Sequence, residues 1–108
     1  MVTRKTLDPK VSRSIKRFVS LIRSQGFPIK SAILFGSWAK GKQTTESDID
    51  LCLISPKFGK DEIEELQFLL KQARNIDDRL EPIPLSVTDY TQNTTPLVWE
   101  IKKYGLEM

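Results

Sequence analysis

Two apolar segments joined by a short polar connection are the feature that most restricts the fold of this chain. The first runs from Ser31 to Phe35, and the second runs from Asp48 to Ile54. The connection between them begins with Gly36-Ser37 and continues as a basic and polar loop. An almost wholly apolar strand is typical of one that is buried on both faces. The two segments are therefore predicted to be strands of a small sheet.

Two carboxylates at the start of the second segment indicate a metal site. Asp48 and Asp50 are two residues apart, so on a strand both side chains lie on one face, because successive side chains alternate. Carboxylate oxygens are the ligands that Mg²⁺ prefers. Gly36 permits a close backbone approach to a phosphate, and Ser37 offers a hydroxyl beside its own N–H. The stretch predicts a place for a metal and a phosphate.

For a substrate that carries several phosphates, such as a nucleoside triphosphate, a site of this kind has the parts for a displacement at phosphorus. Two bound cations about 3.5–4 Å apart can stabilise the attacking and leaving oxygens of an in-line displacement at the α-phosphorus. Lys40 and Lys42 are candidates for neutralising the departing pyrophosphate, and the alternative is that both are simply solvated.

The remainder of the chain predicts helices around the sheet. Asp8-Pro9 and Thr95-Pro96 each carry the signal of a helix N-cap followed by proline. Asp61 carries a third N-cap signal, and Glu64 completes a capping-box pattern with it. Two prolines restrict the segment from Leu80 to Val87 to an edge strand or to irregular pairing. The predicted elements are helices 8–24, 61–76 and 95–104, one helical turn at 38–41, and strands 31–35, 48–54 and 80–87. This order predicts an α/β or α+β fold, a small mixed β-sheet flanked by about three helices, in a single domain over residues 1–108.

Composition removes several classes of enzyme. The chain of 108 residues has no histidine, which excludes Ser-His-Asp and Cys-His catalysis and histidine-ligated zinc. Its single cysteine, Cys52, cannot form an internal disulfide and is predicted to be buried filler. No apolar run is long enough for a membrane span, and the N-terminus has no signal-peptide core. These features predict a cytoplasmic protein with no membrane partner.

Charge is distributed unevenly along the chain. Residues 1–42 contain ten Lys/Arg against one acid, Asp8, whereas residues 43–108 contain seven Lys/Arg against thirteen Asp/Glu. The basic half can face phosphates or an acidic partner, or it can be a solvated helix face. No aromatic residues for base stacking are interleaved among the basic residues of the first predicted helix, so nucleic-acid binding stays open.

The segment from Gly36 to Lys42 also matches most of a phosphate-binding P-loop, G-x-x-x-x-G-K. Gln43 stands where that motif needs Ser or Thr as a magnesium ligand, and a polar loop follows in place of a long helix. A P-loop NTPase also needs a larger parallel sheet than this chain can build. This interpretation is rejected.

The pattern G-S-x-A-x-G, a polar loop and then S-D-I-D-L resembles the signature of the DNA polymerase beta-type nucleotidyltransferases, and the chain length resembles the minimal members of that superfamily. The matching residues are Gly36, Ser37, Ala39, Gly41, Ser47, Asp48, Asp50 and Leu51. The resemblance implies a polymerase beta-like palm fold, ATP as donor, and Asp48 and Asp50 as catalytic metal ligands for Mg²⁺. Gly36, Ser37, Lys40, Lys42 and Ser47 are then candidates for binding the nucleotide. The third acid of the family falls by position on Glu81, as a metal ligand and as base toward the acceptor, although aspartate is usual there.

The resemblance also implies a partner. Minimal nucleotidyltransferases often act as the antitoxin of a HEPN-type ribonuclease toxin and transfer AMP to a tyrosine of that toxin. Two alternatives stay open. The chain can neutralise its partner by binding alone, or it can act on RNA or a small molecule with Arg13, Lys16 and Arg17 as the substrate surface. The sequence also leaves a homo-oligomer open.

Overall fold

The structure is a computed structural model that describes residues 7–44, 46–92 and 95–108. Its first half contains helix α1 (Pro9–Ser24), strand β1 (Ser31–Phe35), the short helix α2 (Ser37–Lys40) and strand β2 (Ile49–Ile54). Its second half contains α3 (Glu62–Arg74), β3 (Leu80–Leu85), α4 (Val87–Gln92), α5 (Pro96–Tyr104) and β4 (Leu106–Glu107). The fold is therefore α/β, as the order of elements predicts.

Four strands form one mixed sheet in the order β3-β2-β1-β4. β1 is antiparallel to both β2 and β4, and β2 is parallel to β3. The strand register places Phe35 beside Asp50 and Asp50 beside Glu81. The two central strands β1 and β2 are those that the sequence predicts, and they bring one acid of β2 next to one acid of β3.

Both faces of the sheet are covered, in agreement with the apolar character of β1 and β2. Leu34, Leu51 and Leu53 pack on one face against residues of α1 and α3. Ile33 and Cys52 pack on the opposite face with Ile101 of α5. Burial raises the pKa of the Cys52 thiol to about 12, so this cysteine is a buried apolar residue, as predicted.

The structure confirms the three predicted helix N-caps and corrects one residue of the predicted capping box. Asp8 accepts from the Lys10 N–H, and Thr95 accepts from the Val98 N–H. Asp61 accepts from the Glu64 N–H, but the returning carboxylate is Glu65, which accepts from the N–H groups of residues 59, 60 and 61. These backbone N–H bonds lower the pKa of Glu65 against the opposing effect of burial.

Several element boundaries differ from the prediction. β2 begins at Ile49, so Asp48 lies just outside the strand. α3 ends at Arg74 instead of near Ile76, and β3 ends at Leu85 because Val87 begins α4. α4 and β4 are too short to carry a pattern in the sequence. No helix of the described ranges has the length and apolarity that crossing a bilayer requires.

The two prolines of β3 occupy the side of the strand that faces away from the sheet. The Arg79 and Leu85 carbonyls accept from β2 N–H groups at 2.7 and 3.1 Å. On a parallel strand every second residue directs its backbone groups to the same neighbour. Odd-numbered residues of β3 therefore bond to β2, whereas Pro82 and Pro84 direct their backbone outward, where β3 is the edge of the sheet. Neither proline removes a ladder hydrogen bond, which is how an edge strand accommodates them.

Candidate active site

The turn after β1 and the first residues of β2 meet at Gly36 and Asp50. Gly36 has φ of +74°, a conformation that favours glycine. A Cβ at this position would overlap the Asp50 carboxylate and lie 3.1 Å from its Cγ. The Asp50 carboxylate therefore lies in the space that a side chain at position 36 would occupy. The glycine that the sequence predicts as a phosphate contact also determines where the acid sits.

Negative charge accumulates around Asp50. Partial burial raises the pKa of Asp50, and the charges of Asp48, Glu81 and Glu100 raise that pKa further, in this order. Three of these acids were expected at the site from the sequence, whereas Glu100 was not. Glu100 belongs to α5, and only the packing of that helix on β1 brings it near Asp50. Its position in an otherwise ordinary helix provides no signal in the sequence.

Asp48 and Glu81 approach Asp50 in different ways. Asp48 is exposed and lies directly before β2, and its charge acts on Asp50 from there. Glu81 is the register partner of Asp50, but its Oε1 lies 3.2 Å from the Arg74 guanidinium. Arg74 also donates to the carbonyls of Leu80, at 2.7 Å, and Asp78. A backbone-anchored arginine therefore holds the third acid.

The donor chemistry of this end of the sheet fits Mg²⁺. All of the candidate ligands are carboxylate oxygens, which hard cations prefer. A cation between them would relieve the repulsion that raises the pKa of Asp50. Among the described residues, however, no three acidic or cysteine side chains already stand in a metal-binding arrangement. The acids share a location without being converged on one point.

The loop between α2 and β2 is held by Ser47 and Trp38. The Ser47 hydroxyl accepts from the Thr44 N–H at 2.8 Å, and the Ser47 carbonyl accepts from the Trp38 indole N–H at 3.1 Å. Trp38 is buried in the core. Ser47 therefore has a structural role that its place in the signature does not reveal. Ser37 is the first residue of α2, directly after Gly36.

Lys40 and Lys42 line a cavity beside the acids. The cavity has a volume of about 600 Å³ and is also lined by Lys103 and Tyr104 at the end of α5. Lys40 Nζ lies 3.3 Å from Glu100 Oε1, which connects the cavity to the group of acids around Asp50. The arrangement places ammonium groups on one side of α2 and carboxylates at its start. Such a site suits a substrate that carries phosphates and a divalent cation.

Comparison with known proteins agrees with this chemistry. The family model described as polymerase beta, nucleotidyltransferase matches residues 18–107. A protein of Methanocaldococcus jannaschii that is named a protein adenylyltransferase is 46% identical over 43 residues, which are 39% of this chain and 43% of that relative. The matching segment thus spans less than half of either protein.

Solved structures with the same fold include a nucleotidyltransferase from Sulfolobus solfataricus, with a TM-score of 0.60 and 17% identity over 93% of this chain and 86% of the other. A toxin–antitoxin structure with AMP-PNP has a TM-score of 0.60 and 21% identity, covering 85% of this chain and 69% of the other. A mutant of the toxin–antitoxin pair MntA–HpeT has a TM-score of 0.58 and 21% identity, with coverage of 86% and 69%. These likenesses establish the fold. Because the family model covers most of its length, the chain belongs to the polymerase beta nucleotidyltransferase family.

Proposed function

We propose that this protein is a Mg²⁺-dependent protein adenylyltransferase that transfers AMP from ATP to a tyrosine of a partner protein. The observation that carries the proposal is the Asp50 carboxylate in the space left by Gly36, next to Glu81 and within the field of Asp48. A glycine turn that offers backbone N–H groups to phosphate and a group of acids for cations are the two parts that nucleotidyl transfer needs.

The reaction forms one bond and breaks one bond. The phenol oxygen of the acceptor tyrosine attacks the α-phosphorus of ATP, the bond between that phosphorus and the bridging α–β oxygen breaks, and pyrophosphate leaves. Glu81 accepts the phenol proton, and its Arg74 partner orients the carboxylate. Lys40 and Lys42 provide positive charge for the leaving pyrophosphate, and Gly36 and Ser37 provide backbone N–H groups for the phosphates. Ser47 acts by holding the loop before Asp48.

Asp48 and Asp50, with Glu81, would hold Mg²⁺, which supplies charge stabilisation for the phosphate oxygens when it is bound. Two ions, if bound, would supply this charge at both the attacking and the leaving oxygen.

The proposed partner is a HEPN-type ribonuclease toxin encoded beside this chain. Two structural neighbours are toxin–antitoxin proteins, and a sequence relative is named a protein adenylyltransferase. These names support a role as the antitoxin that modifies its toxin.

Incubation of the protein with the HEPN-type protein of the adjacent gene, MgCl₂ and ATP labelled at the α-phosphate tests the proposal. We expect label on a tyrosine of the partner and no label when EDTA is present. Asp48→Ala and Asp50→Ala should each lower the rate by about 100-fold or more, because a lost metal ligand removes several kcal/mol of transition-state stabilisation.

Asp78→Ala is the matched control, because Asp78 is an exposed acid near the same end of the sheet whose contact with Arg74 uses the backbone carbonyl. This variant should retain the wild-type rate. Equal labelling by wild type and Asp50→Ala would contradict the proposal. Tight binding of the partner without any gain in mass would instead identify a protein that neutralises its partner by binding alone.

A further inference from the structure

We infer that the cavity between α2 and the end of α5 is a docking site for an acidic segment of the acceptor protein. The inference rests on the proposed transfer function and names a surface that selects its acceptor. The key residues are Lys103 and Tyr104, which lie outside the nucleotidyltransferase signature and which the transfer step does not use.

The lining of the cavity is cationic. Lys40, Lys42 and Lys103 contribute ammonium groups, and none of its lining residues is acidic. Lys40 and Lys42, on the α2 side, are the pair proposed for the pyrophosphate, so the acidic segment is proposed to contact Lys103 on the α5 side. Lys40 is paired with Glu100, whereas Lys42 and Lys103 form no ion pair with a carboxylate of the described residues. A volume of about 600 Å³ is typical of sites that take a few side chains or a small molecule, not a folded domain. The charge and the size together fit a short anionic segment.

Aromatic rings hold the ammonium groups in place. Lys40 Nζ and Lys103 Nζ lie 4.9 and 5.4 Å from the centre of the Tyr104 ring. Lys103 Nζ is also 4.7 Å from the Trp99 ring, which meets Tyr104 edge to face at 6.3 Å. Cation–π attraction of this kind restrains a lysine that would otherwise sample many rotamers. Ammonium groups ordered before binding are better ligands for carboxylates than freely rotating ones.

The same rings are poorly suited to nucleic acid. Single strands bind on aromatic faces that are free to stack on bases. Here the ammonium groups of Lys40 and Lys103 lie over the Tyr104 ring, and that of Lys103 also lies over the Trp99 ring. An acidic peptide needs only the ammonium groups, so the geometry favours a protein segment over RNA.

The cavity also lies beside the acids of the proposed site. Glu100 joins Lys40 at the cavity to the acids around Asp50, so a segment bound there would be close to the reacting phosphate. Trp99 and Tyr104 are 50% and 41% exposed, and they extend the surface outward along α5. Exposed tryptophan and tyrosine are enriched among residues that carry the binding energy of protein interfaces.

The test uses a fluorescein-labelled peptide with one tyrosine flanked by glutamates, and a second peptide in which glutamines replace the glutamates. Fluorescence anisotropy should show that the wild-type protein binds the acidic peptide in preference and that added salt weakens binding. Lys103→Glu should weaken it about tenfold, since a charge reversal in a cationic site changes attraction to repulsion. Tyr104→Leu should weaken binding of the acidic peptide less than Lys103→Glu does, because it removes only the ring that restrains the Lys40 and Lys103 side chains.

Lys102→Glu is the matched control. Lys102 is the next residue on α5 and undergoes the same change of charge, but its Nζ lies 4.8 Å from the Tyr90 ring and outside the cavity lining. Lys102→Glu should bind the acidic peptide within about twofold of wild type, because two unit charges that are far apart in water interact weakly. Thermal melting of each variant shows whether its fold is retained.

Equal binding of both peptides, or equal weakening by Lys102→Glu and Lys103→Glu, would overturn the inference. It would also be overturned by tighter binding of oligo(U) RNA than of the acidic peptide, or by a loss of Mg²⁺-ATP affinity in Lys103→Glu, which would assign the cavity to the nucleotide. Labelling of the partner separates the two proposals. No labelling by wild type contradicts the transfer function, whereas an unchanged KM for the partner in Lys103→Glu contradicts only the docking site.

Discussion

Among individual residues, the candidate site depends most on the close contact between the Gly36 backbone and the Asp50 carboxylate. The Asp50 carboxylate occupies the volume that any other residue at position 36 would fill with its side chain. At the same time the backbone at Gly36 has a positive φ, which disfavours other residues on its own account. These two requirements can be separated experimentally, because Gly41 has almost the same φ, +72°, with no atom within 4 Å of its would-be Cβ.

Gly36→Ala should therefore lose activity as well as stability. We expect about a 100-fold slower transfer of AMP, because a catalytic group displaced by about 1 Å can lose that much. Gly41→Ala should lose only about 1 kcal/mol of stability from its backbone conformation and keep its rate. Urea denaturation and the labelling assay measure the two effects, and equal rates for both variants would show that the contact with Asp50 is unimportant.

At the scale of elements, the open edge of β3 is the feature with the clearest consequence. Edge strands offer unpaired N–H and C=O groups to other chains, and natural proteins block them with prolines among other devices. Pro82 and Pro84 lack the N–H at the two outward-facing positions in the middle of β3, while the odd-numbered residues keep their bonds to β2. The prolines thus protect the edge without weakening the sheet.

Replacing both prolines with valine should expose two N–H groups at this edge. We expect association that increases with protein concentration, measured by light scattering after size-exclusion chromatography. Ile83→Val is the control, because residue 83 directs its backbone to β2 and the open edge is unchanged. A double variant that stays monomeric at the concentrations where wild type does would disprove the protective role.

At the scale of the whole molecule, Asp77 connects elements that are far apart in sequence. Its carboxylate accepts from the Ser14 hydroxyl of α1 at 3.0 Å and from the Arg79 guanidinium at 2.9 and 3.1 Å. The Asp77 side chain is only 13% exposed. The hydrogen bonds from the Arg79 side chain lower the pKa of Asp77 to about 2, with burial opposing them.

This shift of pKa makes stability depend on pH with a definite sign. A carboxyl whose pKa is lower in the folded state stabilises the fold above its unfolded pKa, about 3.9, and this stabilisation is lost as the pH falls toward 2. Asp77→Asn should therefore reduce the free energy of unfolding by about 1–2 kcal/mol at pH 7 and by less at pH 3. Urea denaturation at the two pH values measures the difference. Asp78→Asn, at the exposed neighbouring acid, should have little effect at either pH, and a loss from Asp77→Asn that does not depend on pH would rule out this linkage.

Local patterns determined the parts of this protein that depend on neighbouring residues in the chain. The apolar runs of β1 and β2, the N-caps at Asp8 and Asp61, and the pairing of a glycine turn with two acids were all readable from the sequence. The resemblance to the nucleotidyltransferase signature led to the same residues, and the match of the family model confirmed the family. The roles of the individual residues at the site are still predictions.

The tertiary structure decided what depends on contacts between distant segments. Glu100 near Asp50, Arg74 beside Glu81 and Lys103 beside Lys40 belong to helices whose own sequence patterns are ordinary. Their proximity to the site follows from how α3 and α5 pack on the sheet, and no periodicity along the chain encodes that packing. The sequence by itself therefore determined the central strands and the two aspartates. Only the folded chain, through contacts between elements, determined which charges surround those aspartates.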